Sequence, residues 1–447
     1  MFHVICRRFA AYPHHGRDAM KPAGHAAAAI EVLHDILAHH RPAAVALADW
    51  GRRHRFAGSK DRAHIGNLVF DVLRRRASLA WQMQDDSPRA LVLAHLAFTE
   101  GLAPEAIDAL GRERHGFGPL SDAEWQRLAA PVPLEKAPAW VRGNVPEWLW
   151  PSFENAFGVR ALEEAAALAR RAPVDIRTNI LRTQRARLKA ALARFDPEET
   201  PYSPWGLRFL SQKDRRLPDL ESDGTFARGH FEIQDEGSQV AALLTGVKAG
   251  EQVLDLCAGG GGKTLAMAAM MNNRGQIFAF DAERQRLKPI WQRLQRAGVR
   301  NVQVIEPHKR QRLDDLAARM HCVLIDAPCS GTGTWRRHPD ARWRLRPGSL
   351  EKRVQLQRTL LAQGARYVRP GGRLVYVTCS LLPEENEAMI AAFLKTNEEF
   401  TQLPWQAFWP EDWPRPESTA EARALRLTPA QHGTDGFFIA ILGRKET

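Results

Sequence analysis

Two cysteines, each closing an apolar run, have the residue type and setting to do chemistry: Cys329 in VLIDAPCSGTGT (323–334) and Cys379 in LVYVTCS (374–380). Upstream, VLDLCAGGGGKT (253–264) reads as a strand, a glycine loop and the start of a helix. Ligands of open α/β sheets bind beyond the carboxyl ends of the strands. Three strand ends bearing a glycine loop and two thiols would therefore converge on one pocket. Two thiols beside a nucleotide-type site point to methylation of a pyrimidine at carbon 5. Carbon 5 of cytosine is a weak nucleophile, and a thiolate adding at carbon 6 turns it into an electron-rich enamine carbon. The carbon-5 proton must then leave before the enzyme is eliminated, which a base or a second thiol serves. A lone cysteine at a strand end would be read as a small buried filler. Here both thiols end strands and both have short polar neighbours, Ser330 and Ser380, which outweighs that reading.

The glycine run excludes two familiar phosphate loops. A P-loop needs glycine where Cys257 stands, and the dinucleotide fingerprint starting at Gly259 meets Thr264 at its third glycine. What fits is Asp255-x-Cys257-x-Gly259-x-Gly261, an acid ending the strand and glycines that let a cofactor approach the backbone. Asp281, at the end of QIFAFD (276–281), is placed to accept both hydroxyls of a ribose. An adenosine cofactor without a pyrophosphate, S-adenosylmethionine, is the best match.

The elements that must carry these residues follow from periodicity. Residues 231–447 repeat strand–helix units, the signature of a parallel sheet. Residues 151–230 hold a small α/β unit with VDIRTNIL, QRARLKAALARF and WGLRFL as strand, helix and strand. Residues 22 to about 130 read as helical. In DRAHIGNLVFDVLRRR, Ile65, Leu68, Val69, Val72 and Leu73 fall on one buried face, with Ser59 expected to cap the start. This region serves as a scaffold or as a docking domain for RNA or protein. The Pro/Trp-rich stretch 131–151 is read as a linker whose Trp140, Trp148 and Trp150 are expected to seal a domain interface rather than stack on bases. The Arg-bearing start, 1–21, is expected to be a flexible leader, with Met20 an alternative first residue.

A net charge of +12, spread along the chain rather than gathered in a tail, favours a polyanionic partner. Five cysteines without a CxxC pair argue against a disulfide framework or a zinc site. No metal is expected. Free thiols suit a reducing cytoplasm, and no apolar run approaches a membrane span.

The chain closely resembles the RsmB-type RNA cytosine-5 methyltransferases of the Sun/NSUN superfamily. The matching pieces are FARGHFEIQDEGSQ (226–239), DLCAGGGGKT (255–264), DAPCSGTGTWRRHPD (326–340), VTCSLLPEENE (377–387) and DGFFIA (435–440). RTNILRT (177–183) matches the family's small RNA-contacting subdomain, and the helical start resembles a NusB-like domain. The resemblance implies three parts: a NusB-like all-α domain with linker (22–150), a small α/β RNA-contacting subdomain (151–230) and a Rossmann-like methyltransferase domain (231–447). It also implies that Cys379 is the nucleophile, that Cys329 assists release, and that Asp326 meets the cytosine edge near the methyl donor. Lys263 would lie at the catalytic end of the cofactor loop. Asp255, Cys257, Ala258, Gly259, Gly260, Gly261 and Asp281 would line the cofactor. Two positions depart from the family: Gly259-Gly260 replace Ala-Pro, and Glu306 stands where an adenine-facing Asp is usual.

Ten Lys/Arg against two acids in residues 336–369 place a basic stretch just after Cys329. Arg336, Arg337, His338 and Arg342 are candidates to grip phosphates beside a flipped-out base. Arg177 and Asn179 are candidates in the small subdomain. About half of such charges are expected to be an ordinary solvated face. The leading reading is a monomeric S-adenosylmethionine-dependent methyltransferase acting on small-subunit ribosomal RNA. The same chemistry on transfer RNA, and a non-catalytic RNA-binding assembly or antitermination factor, stand as alternatives. DNA is disfavoured because the TCS motif marks the RNA branch.

Overall fold

The computed structural model describes residues 20–210, 219–418 and 422–446, so the expected leader falls, up to residue 19, outside the described residues. The chain divides into two compact units. One runs to Glu147 and takes in the helix Pro339–Arg344; the other holds Trp148–His338 and the chain from Leu345 onward. The helix Pro339–Arg344, which lies within the 231–447 segment in sequence, groups with the helical unit. The small α/β segment and the strand–helix segment that follows it belong to one unit.

The first unit is helical, with helices at Pro22–His39, Ala43–Arg53, Ser59–Arg74, Arg76–Met83, Pro88–Ala94, Pro104–Arg112 and Asp122–Ala129. Ile65, Val69, Val72 and Leu73 are fully buried, as their spacing predicts, with Leu68 partly buried beside them. Ser59 is the first helical residue rather than the cap. The preceding Gly58 donates its N–H to the Asp61 carboxylate at 2.9 Å, which tethers the first turn. The inserted Pro339–Arg344 helix is buried in this unit. The Trp343 indole donates to the Leu73 carbonyl at 2.7 Å and packs with Trp81 and Trp140.

The second unit contains two sheets. Strands β1 (Val174–Thr178), β2 (Glu198–Glu199), β3 (Gly206–Phe209) and β4 (Phe231–Ile233) form an antiparallel sheet in the order β2-β3-β1-β4. Its last strand lies beyond residue 230, so the small subdomain is completed by residues the sequence division gave to its neighbour.

The larger sheet has β5 (Gln252–Asp255), β6 (Gln276–Phe280), β7 (Val302–Ile305), β8 (Met320–Asp326), β9 (Val368–Thr378), β10 (Phe400–Leu403), β11 (Leu425–Leu427) and β12 (Phe437–Arg444). The order is β10-β12-β9-β8-β5-β6-β7, with β11 pairing off β12. Pairs from β7 to β9 are parallel, whereas β12 runs antiparallel between β9 and β10. Both faces are covered. In β8, Cys322 and Leu324 enter one apolar layer while Val323 and Ile325 enter the other, the two-residue alternation of a strand buried on both sides. The order reverses between β5 and β8, the switch point at which such sheets bind ligands.

Candidate active site

The glycine loop begins where β5 ends. Gly259 (φ +50°) and Gly261 (φ +83°) adopt left-handed backbone, and Gly261 caps the helix Gly262–Met270. A Cβ on Gly261 would lie 2.6 Å from the Ile290 side chain, so glycine is required there. At Gly259 the nearest atoms, on Arg286 and Asp281, are 3.9 Å away, which leaves an open cradle against the backbone. The loop is held from outside by two buried or half-buried arginines. Arg293 donates to the Gly260 carbonyl at 2.7 Å and pairs with Glu232, and Arg177 donates to the Gly262 carbonyl at 2.8 Å. Cys257 and Ala258 lie buried under the loop, and burial pushes the Cys257 thiol well up.

Three carboxylates end neighbouring strands around this loop. Asp281, just past β6, accepts the Gly259 N–H and the Glu283 N–H, each at 2.9 Å. Asp255 accepts the Thr264 hydroxyl at 2.6 Å through one oxygen, while its other oxygen is buried without a hydrogen-bond partner. Burial, chiefly, raises this carboxyl to about 7. Asp326, at the end of β8, accepts from Lys263 Nζ at 2.6 Å, and that ammonium lies 5.4 Å from the centroid of the Phe437 ring. Glu306, past β7, is partly exposed and lies 3.1 Å from the His308 ring. An orphaned buried carboxylate oxygen, a backbone cradle and an acid at the end of β6 fit a cationic adenosine cofactor.

The thiols meet on the other side of the switch point. Cys329 Sγ and Cys379 Sγ are 3.4 Å apart, and both are partly exposed. Hydrogen bonding to Cys379, then burial, raises the Cys329 thiol well above its ordinary value. In this contact either sulfur can be the donor. The residues flanking both thiols are tied to Glu385 and Asn386, to which sequence reasoning gave no role. Their signal was present as the acid-rich PEENE run (383–387), two residues after the TCS motif.

The phosphate candidates need correction. Arg342 is fully buried in the helical unit, where it donates to the Asn144 carbonyl at 2.6 Å. Arg336 is buried and Arg337 half-buried, and both pair with Asp235 and Asp435. Asn179 donates to the Gly229 and Ala297 carbonyls, each at 2.9 Å, and Arg177 grips the loop as described. A buried cation must be paired or hydrogen-bonded within the protein, so these side chains are committed to the fold. Of the six candidates only His338 is exposed.

Over 405 residues, 85% of this chain and 89% of its relative, the sequence is 30% identical to ribosomal RNA small subunit methyltransferase B of Sodalis glossinidius. The chain belongs to the RsmB/F family. The family model, 16S rRNA methyltransferase RsmB/F, matches residues 242–443, which span the glycine loop and both thiols. A probable small-subunit methyltransferase B of Synechocystis is 34% identical over 67% of this chain, and the match spans 66% of that relative's length. The human 28S rRNA (cytosine(4447)-C(5))-methyltransferase is 33% identical over 60% of this chain but only 34% of its own. The crystal structure of PH0851 superposes with a TM-score of 0.72 at 25% identity, covering 95% of this chain and 100% of that one. RsmB/F methyltransferases use S-adenosylmethionine, in keeping with the cradle between Asp255 and Asp281. The family's Ala-Pro is Gly259-Gly260 here, and Arg293 fastens that more pliant turn from outside.

Proposed function

We propose that this protein transfers the methyl group of S-adenosylmethionine to carbon 5 of a cytosine in small-subunit ribosomal RNA. The observation that carries the reading is the 3.4 Å approach of the two thiols just past the carboxyl ends of β8 and β9. The names of its relatives support ribosomal RNA as the substrate class. When bound, the cofactor would supply an electrophilic methyl group on a sulfonium, whose S–CH3 bond breaks to leave a neutral thioether.

Cys379 adds to carbon 6 of the base, and the ring electrons move to carbon 5, which takes the methyl group. Both sulfurs act as thiolates, their protons having passed to solvent. Cys329 accepts the carbon-5 proton, the electron pair of that C–H bond forms the double bond between carbons 5 and 6, and the bond from carbon 6 to Cys379 breaks with its electron pair returning to sulfur as thiolate. Asp326, held by Lys263, meets the polar edge of the cytosine. Asp255, Cys257, Ala258, Gly259, Gly260, Gly261, Asp281 and Glu306 would hold the cofactor, with Lys263 and Asp326 at its reactive end. We read the enzyme as a cytoplasmic monomer whose helical unit is NusB-like and docks RNA. Among the described residues no helix is long and apolar enough to cross a membrane.

The test is methylation of small-subunit RNA isolated from a deletion strain, mapped by bisulfite sequencing. A single restored 5-methylcytosine is expected. No incorporation into that RNA, with incorporation into transfer RNA instead, would overturn the choice of substrate.

A further inference from the structure

Glu385 and Asn386 are fully buried, contain a formal charge and four polar side-chain atoms, and play no part in the chemistry above. A buried carboxylate is stable only when its oxygens are satisfied, and the groups that satisfy Glu385 are informative. One oxygen accepts the Ser330 N–H at 2.8 Å and the Gln357 amide at 2.9 Å; the other accepts the Ser330 hydroxyl. The same Gln357 amide nitrogen donates to the Pro328 carbonyl at 3.0 Å. Cys329 is therefore gripped through the residue on either side of it.

Asn386 does the same for Cys379. Its side-chain oxygen accepts the Thr378 hydroxyl at 2.6 Å, and its amide nitrogen donates to the Ser380 carbonyl at 2.9 Å. The two grips are cross-linked. Ser330 gives its only hydroxyl proton to Glu385, so it accepts from Ser380 at 3.1 Å, and Ser380 in turn accepts from Thr332 at 3.2 Å. This is a one-way chain of donors ending on a buried carboxylate, an arrangement in which each bond polarises the next.

We propose that Glu385 and Asn386 are positioning residues that hold the two thiol loops in apposition, setting the distance between Cys329 and Cys379. Neither touches the reacting base; both act through the residues next to the thiols. The catalytic consequence rests on the thiol chemistry proposed above, whereas the geometric claim stands apart from it.

The test pairs two readouts on the full-length protein. Phenylarsine oxide bridges two thiols only when they are close, releasing one water, and reports apposition without RNA or cofactor. Glu385→Gln, Asn386→Ala and the milder Ser330→Ala are compared with wild type for arsenical capture, cofactor affinity and methylation rate. Wild type should capture one arsenical. Glu385→Gln and Asn386→Ala should lose capture and fall about a hundredfold in rate, the scale of a 1 Å misplacement, with cofactor affinity within twofold. Ser330→Ala, which removes only the bridging hydroxyl, keeps the proposal testable if the others fold poorly; it should weaken both readouts in parallel.

Full capture in all three variants would overturn the proposal, even with a lower rate. Loss of capture only where cofactor binding is equally lost would also overturn it, since that marks general damage to the unit. Wild-type protein that captures the arsenical but methylates no RNA would refute the proposed function and leave the clamp standing.

Discussion

Lys263 Nζ lies 2.6 Å from Asp326 Oδ2, joining the first turn of the helix after the glycine loop to the end of β8. Lys263 follows β5 through the glycine loop and Asp326 ends β8, and the sheet order reverses between these two strands. The pair therefore spans the switch point and links the cofactor loop to the segment that carries Cys329. Lys263→Ala would leave Asp326 without its cation and is expected to lower the methylation rate more than it lowers cofactor affinity. Equal losses in both would mean that Lys263 serves only the loop.

The two cysteines should separate in a trapping experiment. Cys379→Ala is expected to abolish methylation and form no covalent adduct with RNA. Cys329→Ala should still attack carbon 6 but stall before elimination, so adduct accumulates and survives denaturing electrophoresis. Adduct from Cys379→Ala alone would reverse the assignment.

Asp281 couples the end of β6 to the loop through the Gly259 N–H. Asp281→Ala removes that acceptor and a partner for a ribose, and should cost about 1–3 kcal/mol of cofactor binding. Calorimetry showing unchanged affinity would remove Asp281 from the site.

Asp255 predicts a pH dependence. Its carboxyl is raised from the ordinary 3.8 to about 7, mainly by burial, with Asp326 and Asp281 adding to the rise and Thr264 and Lys263 opposing it. Because the folded value lies above the unfolded one, the protonated form favours folding. That contribution is complete below about 3.8 and is lost as pH rises through about 7. Glu236, also raised to about 7 by burial, acts with the same sign. A cationic cofactor favours ionised Asp255, so its affinity should rise as pH passes from 6 to 8 (about one unit either side of that value), and Asp255→Asn should flatten the rise. An unchanged profile in the variant would assign the dependence elsewhere.

Arg342 provides a check on the corrected RNA surface. Arg342→Ala strands the Asn144 carbonyl in the helical unit and should cost about 1–3 kcal/mol of stability. The salt dependence of RNA binding should not change. An unchanged melting temperature with a salt slope shallower by about one would restore Arg342 as a phosphate contact.

The parts legible in the sequence were those encoded by near neighbours. The buried face of the Ser59–Arg74 helix follows from apolar residues three and four apart. The strand–loop–helix around Gly259 and Gly261 follows from an apolar run meeting residues that tolerate positive φ. The candidacy of Cys329 and Cys379 follows from thiols placed at strand ends, because strands of such a sheet bring their carboxyl ends together.

What depended on tertiary structure was the choice of partner. A charged residue reads alike in sequence whether it faces water or a carboxylate from a distant segment. Arg336 meets Asp435 from 99 residues away, and Arg177 reaches the Gly262 carbonyl from 85 residues away. Both became internal struts because burying a cation demands a fixed partner. The same holds for the inserted Pro339–Arg344 helix, whose short basic and aromatic sequence gives no periodic sign of the unit that buries it. It holds again for Glu385, an acid in a run of acids. Its position beside Ser330, 55 residues away in sequence, is created only when β8 and β9 pair in parallel and bring the two thiol loops side by side. Local periodicity determines elements; long-range pairing of buried polar groups decides which residues face the substrate and which hold the site in shape.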